Sequence, residues 1–159
     1  MQAQSKTDFD LKEYVPLIEE VIESGGEFRL FPRGTSMMPL LRQGKDSVIL
    51  VKTINAPQKR DIIFYRRPNG QFVLHRILKH SKDDSYILCG DNQTALEYGI
   101  TEEMIIAVVS AVYRGEKRIE KKKFFRKIYE CFWCIMPLRK LIFFVRRAFS
   151  KLKRLFIKN

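Results

Sequence analysis

The chain predicts a mainly β domain preceded by an amino-terminal helix and followed by a basic, amphipathic helical tail. Three observations carry that prediction. Helical periodicity fills the first 26 residues, short β-branched and aromatic runs separated by turn residues follow from Glu27 to Arg114, and the composition breaks after Gly115. The divisions fall at residues 1–26, 27–117 and 118–159.

Asp10 is placed to cap a helix through Glu23, because Leu11, Val15, Ile18 and Ile22 recur at helical spacing behind it. Pro16 either kinks this helix or marks its true first turn, and Gly25-Gly26 ends it. These residues are too few for a helix-turn-helix, which argues against a DNA-reading module here. The strands are expected at Glu27 to Phe31, Ser47 to Lys52, Asp61 to Arg66, Gln71 to Lys79, Ser85 to Cys89 and Ile105 to Arg114. Pro68-Asn69-Gly70 reads as a hairpin turn between the third and fourth strands, and Lys82-Asp83-Asp84 as a second turn.

Charge separates the tail from the rest. The 159 residues carry a formal net charge of +12. Residues 1–117 hold 16 Lys+Arg against 16 Asp+Glu, whereas residues 118–159 hold 14 Lys+Arg against only Glu120 and Glu130. Phe124, Ile128, Phe132 and Ile135 share one helix face; Leu141, Val145, Phe149, Leu152 and Phe156 share another after Pro137. Two basic amphipathic helices hinged at Pro137 are expected, suited to an anionic membrane surface. Cations near such a surface contribute about 1 kcal/mol each. A helical hairpin packed on its own domain is the alternative. No nucleic-acid partner is expected, because Trp133 and the phenylalanines gather on apolar faces instead of interleaving singly with cations.

No segment reaches the roughly 20 apolar residues of a spanning helix, and Met1 to Asp10 is polar and acidic, unlike a secretory signal. Peripheral attachment on the cytoplasmic face is the resulting expectation. Cys89, Cys131 and Cys134 do not make a disulfide framework. Cys131-Phe132-Trp133-Cys134 has redox or half-zinc spacing but lacks a second ligand pair, so neither metal nor cofactor is expected.

The chemistry gathers at Phe31-Pro32-Arg33-Gly34-Thr35-Ser36-Met37-Met38-Pro39-Leu40-Leu41. Gly34 permits backbone angles closed to other residues and Pro39 interrupts any strand or helix, so Ser36 lies on a tight bend. An ordinary turn serine fits these residues too; a nucleophile needs a base as well. Of the two histidines, His75 falls in the strand Gln71-Phe72-Val73-Leu74-His75-Arg76-Ile77, whereas His80 is assigned to the surface on the opposite face. Gly90-Asp91-Asn92 forms a third island downstream.

Gly34-Thr35-Ser36-Met37-Met38-Pro39, then Leu74-His75-Arg76-Ile77, then Gly90-Asp91-Asn92 together resemble the signal peptidase I family of serine endopeptidases. The resemblance spans roughly Glu27 to Tyr113. It implies the β domain of that family, a LexA-like fold shared with the self-cleaving SOS repressors. It also implies that Ser36 is the nucleophile and His75 the general base, as in the family's histidine-type branch. Histidine, with an ordinary pKa of about 6.5, accepts a proton near neutral pH, whereas lysine at about 10.4 must first be pushed down.

A carboxylate to orient the imidazole is expected first from Asp91, on proximity and as a structural anchor, and next from Glu97, where histidine-type members place their third acid. An Asx turn that only holds the loop is an equal reading of Asp91. Gly34 stands where the family often has an oxyanion-binding serine, so the Ser36 backbone N–H, with Thr35, is left for that role. The family's amino-terminal membrane helix has no counterpart in Met1 to Asp10. The implied function is cleavage of signal or leader peptides, with an extended peptide or preprotein as substrate. A catalytically idle peptide-binding membrane module and a self-cleaving regulator are the alternatives. The second is disfavoured because the chain has no Ala-Gly cleavage dipeptide.

Overall fold

A computed structural model describes residues 11–119 and 135–156. The expected caps at Asp10, the helix face from Phe124 to Phe132 and the Cys131/Cys134 pair lie outside the described residues. Helix α1 (Leu11–Glu23) precedes strands β1 (Phe28–Leu30), β2 (Asp46–Val51), β3 (Ile62–Arg66), β4 (Phe72–His80), β5 (Tyr86–Cys89) and β6 (Glu97–Ile100). A 3₁₀ turn (Glu102–Met104), β7 (Ile105–Arg114), β8 (Lys117–Arg118) and helix α2 (Met136–Phe156) follow. The mainly β prediction holds. The strands form one eight-stranded antiparallel sheet in the order β1-β2-β7-β3-β4-β5-β6, with β8 on β7. β6 and β8 are strands that periodicity missed, and the sheet's pairing runs on to Ile119, whose N–H bonds the Val112 carbonyl.

α1 buries Val15, Ile18 and Ile22 against Val48, Leu50, Ile62, Phe64 and Leu74. Full burial of each such side chain stabilises by about 1.5–3 kcal/mol, which offsets the one backbone bond that Pro16 removes inside the helix. Gly25, at φ +82°, reverses the chain, and the Gly26 N–H caps the Val21 carbonyl at 2.8 Å. Met37 and Leu41, either side of the Pro39 bend, sink into this same cluster. The Ser36 segment is thereby pinned to the core by its apolar residues.

The opposite face of the sheet holds a second cluster of Ile63, Tyr65, Ile77, Tyr86, Leu88 and Ile100. Adjacent residues of a strand point to opposite faces, so Leu74 joins the first cluster while His75 meets Tyr65 on the second face. The β3–β4 hairpin closes as expected: Gly70, at φ +81°, donates to the Arg67 carbonyl, and Arg67 donates to Gln71. The turn at 82–84 also forms, with Ser81 N–H on the Ser85 carbonyl at 2.7 Å.

A buried carboxylate ends the Ser36 loop. Asp46 Oδ2 accepts from the Arg42 N–H at 2.8 Å and Nε at 3.1 Å, and Oδ1 accepts from Arg114 Nε at 3.0 Å. Burial opposes its ionisation, but the bonds from Arg42 and Arg114 win and pull its pKa down to about 2. The loop that begins at β1 is thus tied at its far end to β2 and β7.

α2 starts at Met136, with Pro137 in its first turn, where a missing N–H is harmless. It turns Arg139 inward, fully buried, and leaves Leu141, Phe144, Val145 and Phe149 exposed. Among the described residues no helix is long and apolar enough to cross a membrane.

Candidate active site

β5 pairs with β4 only from Arg76 onward, so among the described residues Phe72 to His75 have a strand partner on the β3 side alone. β1 is the opposite edge strand of the sheet. Residues 28–34 and 72–75, closed off by α1, line a groove of about 600 Å³. Ser36 and His75 are both among the residues that line it. The structure therefore brings the predicted nucleophile and base to one cleft.

The turn after β5 joins them. Asn92 donates its N–H to the Ser36 carbonyl at 2.6 Å. Gly90 fills the remaining space: a Cβ there would lie 2.7 Å from the Ser36 carbonyl oxygen and 2.9 Å from His75 Nε2. Only glycine allows the three segments to approach so closely. Gly34 has φ +85° and donates to Gln43 Oε1 at 2.9 Å, and Met38 donates to the Thr35 carbonyl at 3.2 Å. The bend is a hydrogen-bonded turn, as its residues suggest.

His75 is buried, at 1% exposure, yet its ring nitrogens have distinct surroundings. Nδ1 lies 2.9 Å from Glu97 Oε1 and 3.3 Å from the Tyr65 hydroxyl. Tyr65 donates to Glu97 Oε2 at 2.7 Å, and Arg67 Nε donates to the same oxygen at 2.8 Å. A second Arg67 nitrogen bonds Oε1. Burial works against the charge on Glu97, but bonds from Arg67 and Tyr65 outweigh it and hold its pKa below the usual value. Burial, then Glu97, pushes the Tyr65 phenol up, so it stays a donor. An ionised carboxylate can only accept, so the Nδ1 proton belongs between His75 and Glu97, and Nε2 keeps its lone pair on the Gly90 side.

The expectation that Asp91 would be first to orient the imidazole is corrected. Both Asp91 oxygens are taken up by Arg76, whose Nε and Nη2 donate to them at 2.8 and 2.7 Å, while Arg76 Nη1 donates to the Arg60 carbonyl at 2.9 Å. This buried fork ties the Gly90 turn to β4, and Glu97 is the carboxylate against His75. His80 is exposed, as expected, with Nε2 3.0 Å from the Pro57 carbonyl, but the expected opposite face is corrected: a bulge between Ile77 and Lys79 pairs it with Tyr86, on the same face as His75. Tyr65 and Arg67 escaped sequence reasoning, although the hairpin register held a signal. The Pro68-Asn69-Gly70 turn pairs Ile63 with His75, which puts Tyr65 diagonally beside it on the same face. Among the described residues no group of His, Cys, Asp and Glu is arranged to hold a metal ion.

No family model, curated protein or solved structure matches the chain.

Burial is the largest influence on His75 and lowers its pKa below 6.5; Glu97 pulls the other way by attraction and hydrogen bonding. The imidazole is therefore neutral at pH 7. In a ¹⁵N NMR titration, His75 should have its midpoint below 6.5, and Glu97→Gln should lower it further because the group that favours the imidazolium is gone. A wild-type midpoint above 6.5, or an upward shift in the variant, contradicts this arrangement.

Proposed function

We propose that the protein is a serine endopeptidase of the signal peptidase type, with a LexA-like catalytic domain, cutting extended signal or leader segments. The observation that carries the reading is a buried histidine with Nδ1 against Glu97 and Nε2 on the Gly90 side next to the Ser36 bend. A substrate strand fits beside Phe72 to His75, which among the described residues pair with β3 alone; there main-chain bonds supply affinity and alternate side chains enter the groove. Ile18, Met37, Leu41 and Leu74 give that groove an apolar lining, selective for apolar substrate side chains.

In this reading Ser36 Oγ attacks the scissile carbonyl while its proton passes to His75 Nε2. Glu97 stabilises the imidazolium that forms. The proton then goes to the leaving amine, the C–N bond breaks, and water hydrolyses the Ser36 ester by the same route. The Ser36 N–H, with Thr35, is assigned to the oxyanion.

The partner assigned to the tail is an anionic bilayer surface. Leu141, Phe144, Val145 and Phe149 stand exposed on α2, within a segment holding 14 Lys+Arg among residues 118–159. Apolar side chains that enter the interface beside cations facing headgroups suit a peripheral attachment.

A fluorophosphonate probe tests the chemistry without a known substrate: Ser36 Oγ bonds phosphorus, fluoride leaves, and His75 takes the proton. Wild-type protein should be labelled at Ser36 and Ser36→Ala should not, while His75→Ala should slow labelling by roughly 10²–10⁴-fold. A folded wild-type chain that takes no label, or a label that persists in Ser36→Ala, refutes the reading. Vesicle flotation tests the tail. Binding should require phosphatidylglycerol and weaken at least tenfold in Phe144→Ser/Phe149→Ser; equal binding to neutral phosphatidylcholine contradicts the assignment.

A further inference from the structure

We infer that Arg139 of α2 is a positioning residue for the active site, which makes the carboxyl-terminal helix part of the catalytic apparatus as well as a candidate anchor. This rests on the peptidase reading above. The guanidinium is fully buried at the back of the turn that follows β5. Its Nη1 lies 2.9 Å from the Gly90 carbonyl oxygen, 3.1 Å from the Gln93 carbonyl oxygen and 2.8 Å from Cys89 Sγ. One cationic group thus gathers both ends of the turn from Cys89 to Gln93.

The front of the same turn sets the catalytic geometry. Gly90 packs against His75 Nε2 and the Ser36 carbonyl, and Asn92 donates to that carbonyl at 2.6 Å. Arg76 holds the Asp91 side chain from β4, but the backbone carbonyls of Gly90 and Gln93 receive Arg139 from outside the sheet. Charge-assisted bonds to a carbonyl are stronger than neutral ones, and here one guanidinium nitrogen, Nη1, draws two carbonyls of the turn together. Without the guanidinium the turn loses its rear brace, and the spacing between Ser36 and His75 is no longer imposed. Cys89, whose thiol burial pushes up, meets Arg139 as a neutral group, so no thiolate competes for the charge.

The test is the second-order rate of fluorophosphonate labelling at Ser36 in the full chain, with folding followed by circular dichroism. Arg139→Ala should label at least tenfold more slowly than wild type, and 20 mM guanidinium ion should restore part of the rate by occupying the vacated site. A folded Arg139→Ala that labels at the wild-type rate, or a loss that guanidinium leaves unchanged, overturns the role. If Arg139→Ala does not fold, Arg139→Lys decides. It retains the charge on a shorter, more mobile side chain that does not hold a planar nitrogen at the Nη1 position, and at least threefold slower labelling of folded protein is expected; the wild-type rate overturns the proposal. A wild-type chain that takes no label refutes the peptidase reading and the positioning role with it. A labelled wild type matched by its variants refutes the positioning role alone.

Discussion

The contact between Glu97 Oε1 and His75 Nδ1, at 2.9 Å, is the interaction on which the rest of the site depends. A buried imidazole has two tautomers and no solvent to choose between them. An ionised carboxylate on one nitrogen makes the choice and leaves the other nitrogen basic. Holding that carboxylate ionised inside a half-closed cleft requires donors, which Arg67 and Tyr65 provide. The hairpin between β3 and β4 brings Tyr65 and Arg67 to His75's side of the sheet, and β6 brings Glu97. The sheet is thus arranged so that one proton position is fixed.

Much of this was legible in the residues, and the exceptions have physical reasons. The helix from Leu11, the turn at Pro68-Asn69-Gly70 and the strand from Ile105 to Arg114 emerged because each combines periodicity with turn chemistry. β6 did not. Glu-Tyr-Gly-Ile is short, and its glycine sits at φ +70°, so nothing in it announces a strand. Asp91 reads as the carboxylate for His75 because it lies in the Gly-Asp-Asn motif itself. What diverts it is Arg76, next to His75 in sequence but on the other face of β4, and a strand arginine usually reads as solvated. Arg139 was hidden for a similar reason: in a run of cations, nothing distinguishes the one that folds inward.

Helix α2 has two faces in different surroundings. Arg139 ties α2 to the turn after β5, while Leu141, Phe144, Val145 and Phe149 of the same helix are exposed. An amphipathic helix has more than one face to use, and here a buried cation and exposed phenylalanines divide its circumference.

The central claim is that the Ser36 alcohol and His75 Nε2 meet during reaction while Glu97 holds the far nitrogen. A crystal structure of the phosphonylated protein tests it most directly. The account predicts phosphorus bonded to Ser36 Oγ, with His75 Nε2 about 3 Å from an adduct oxygen and Nδ1 still on Glu97. An adduct on another residue, or a His75 ring turned from Ser36 with Glu97 detached, contradicts it.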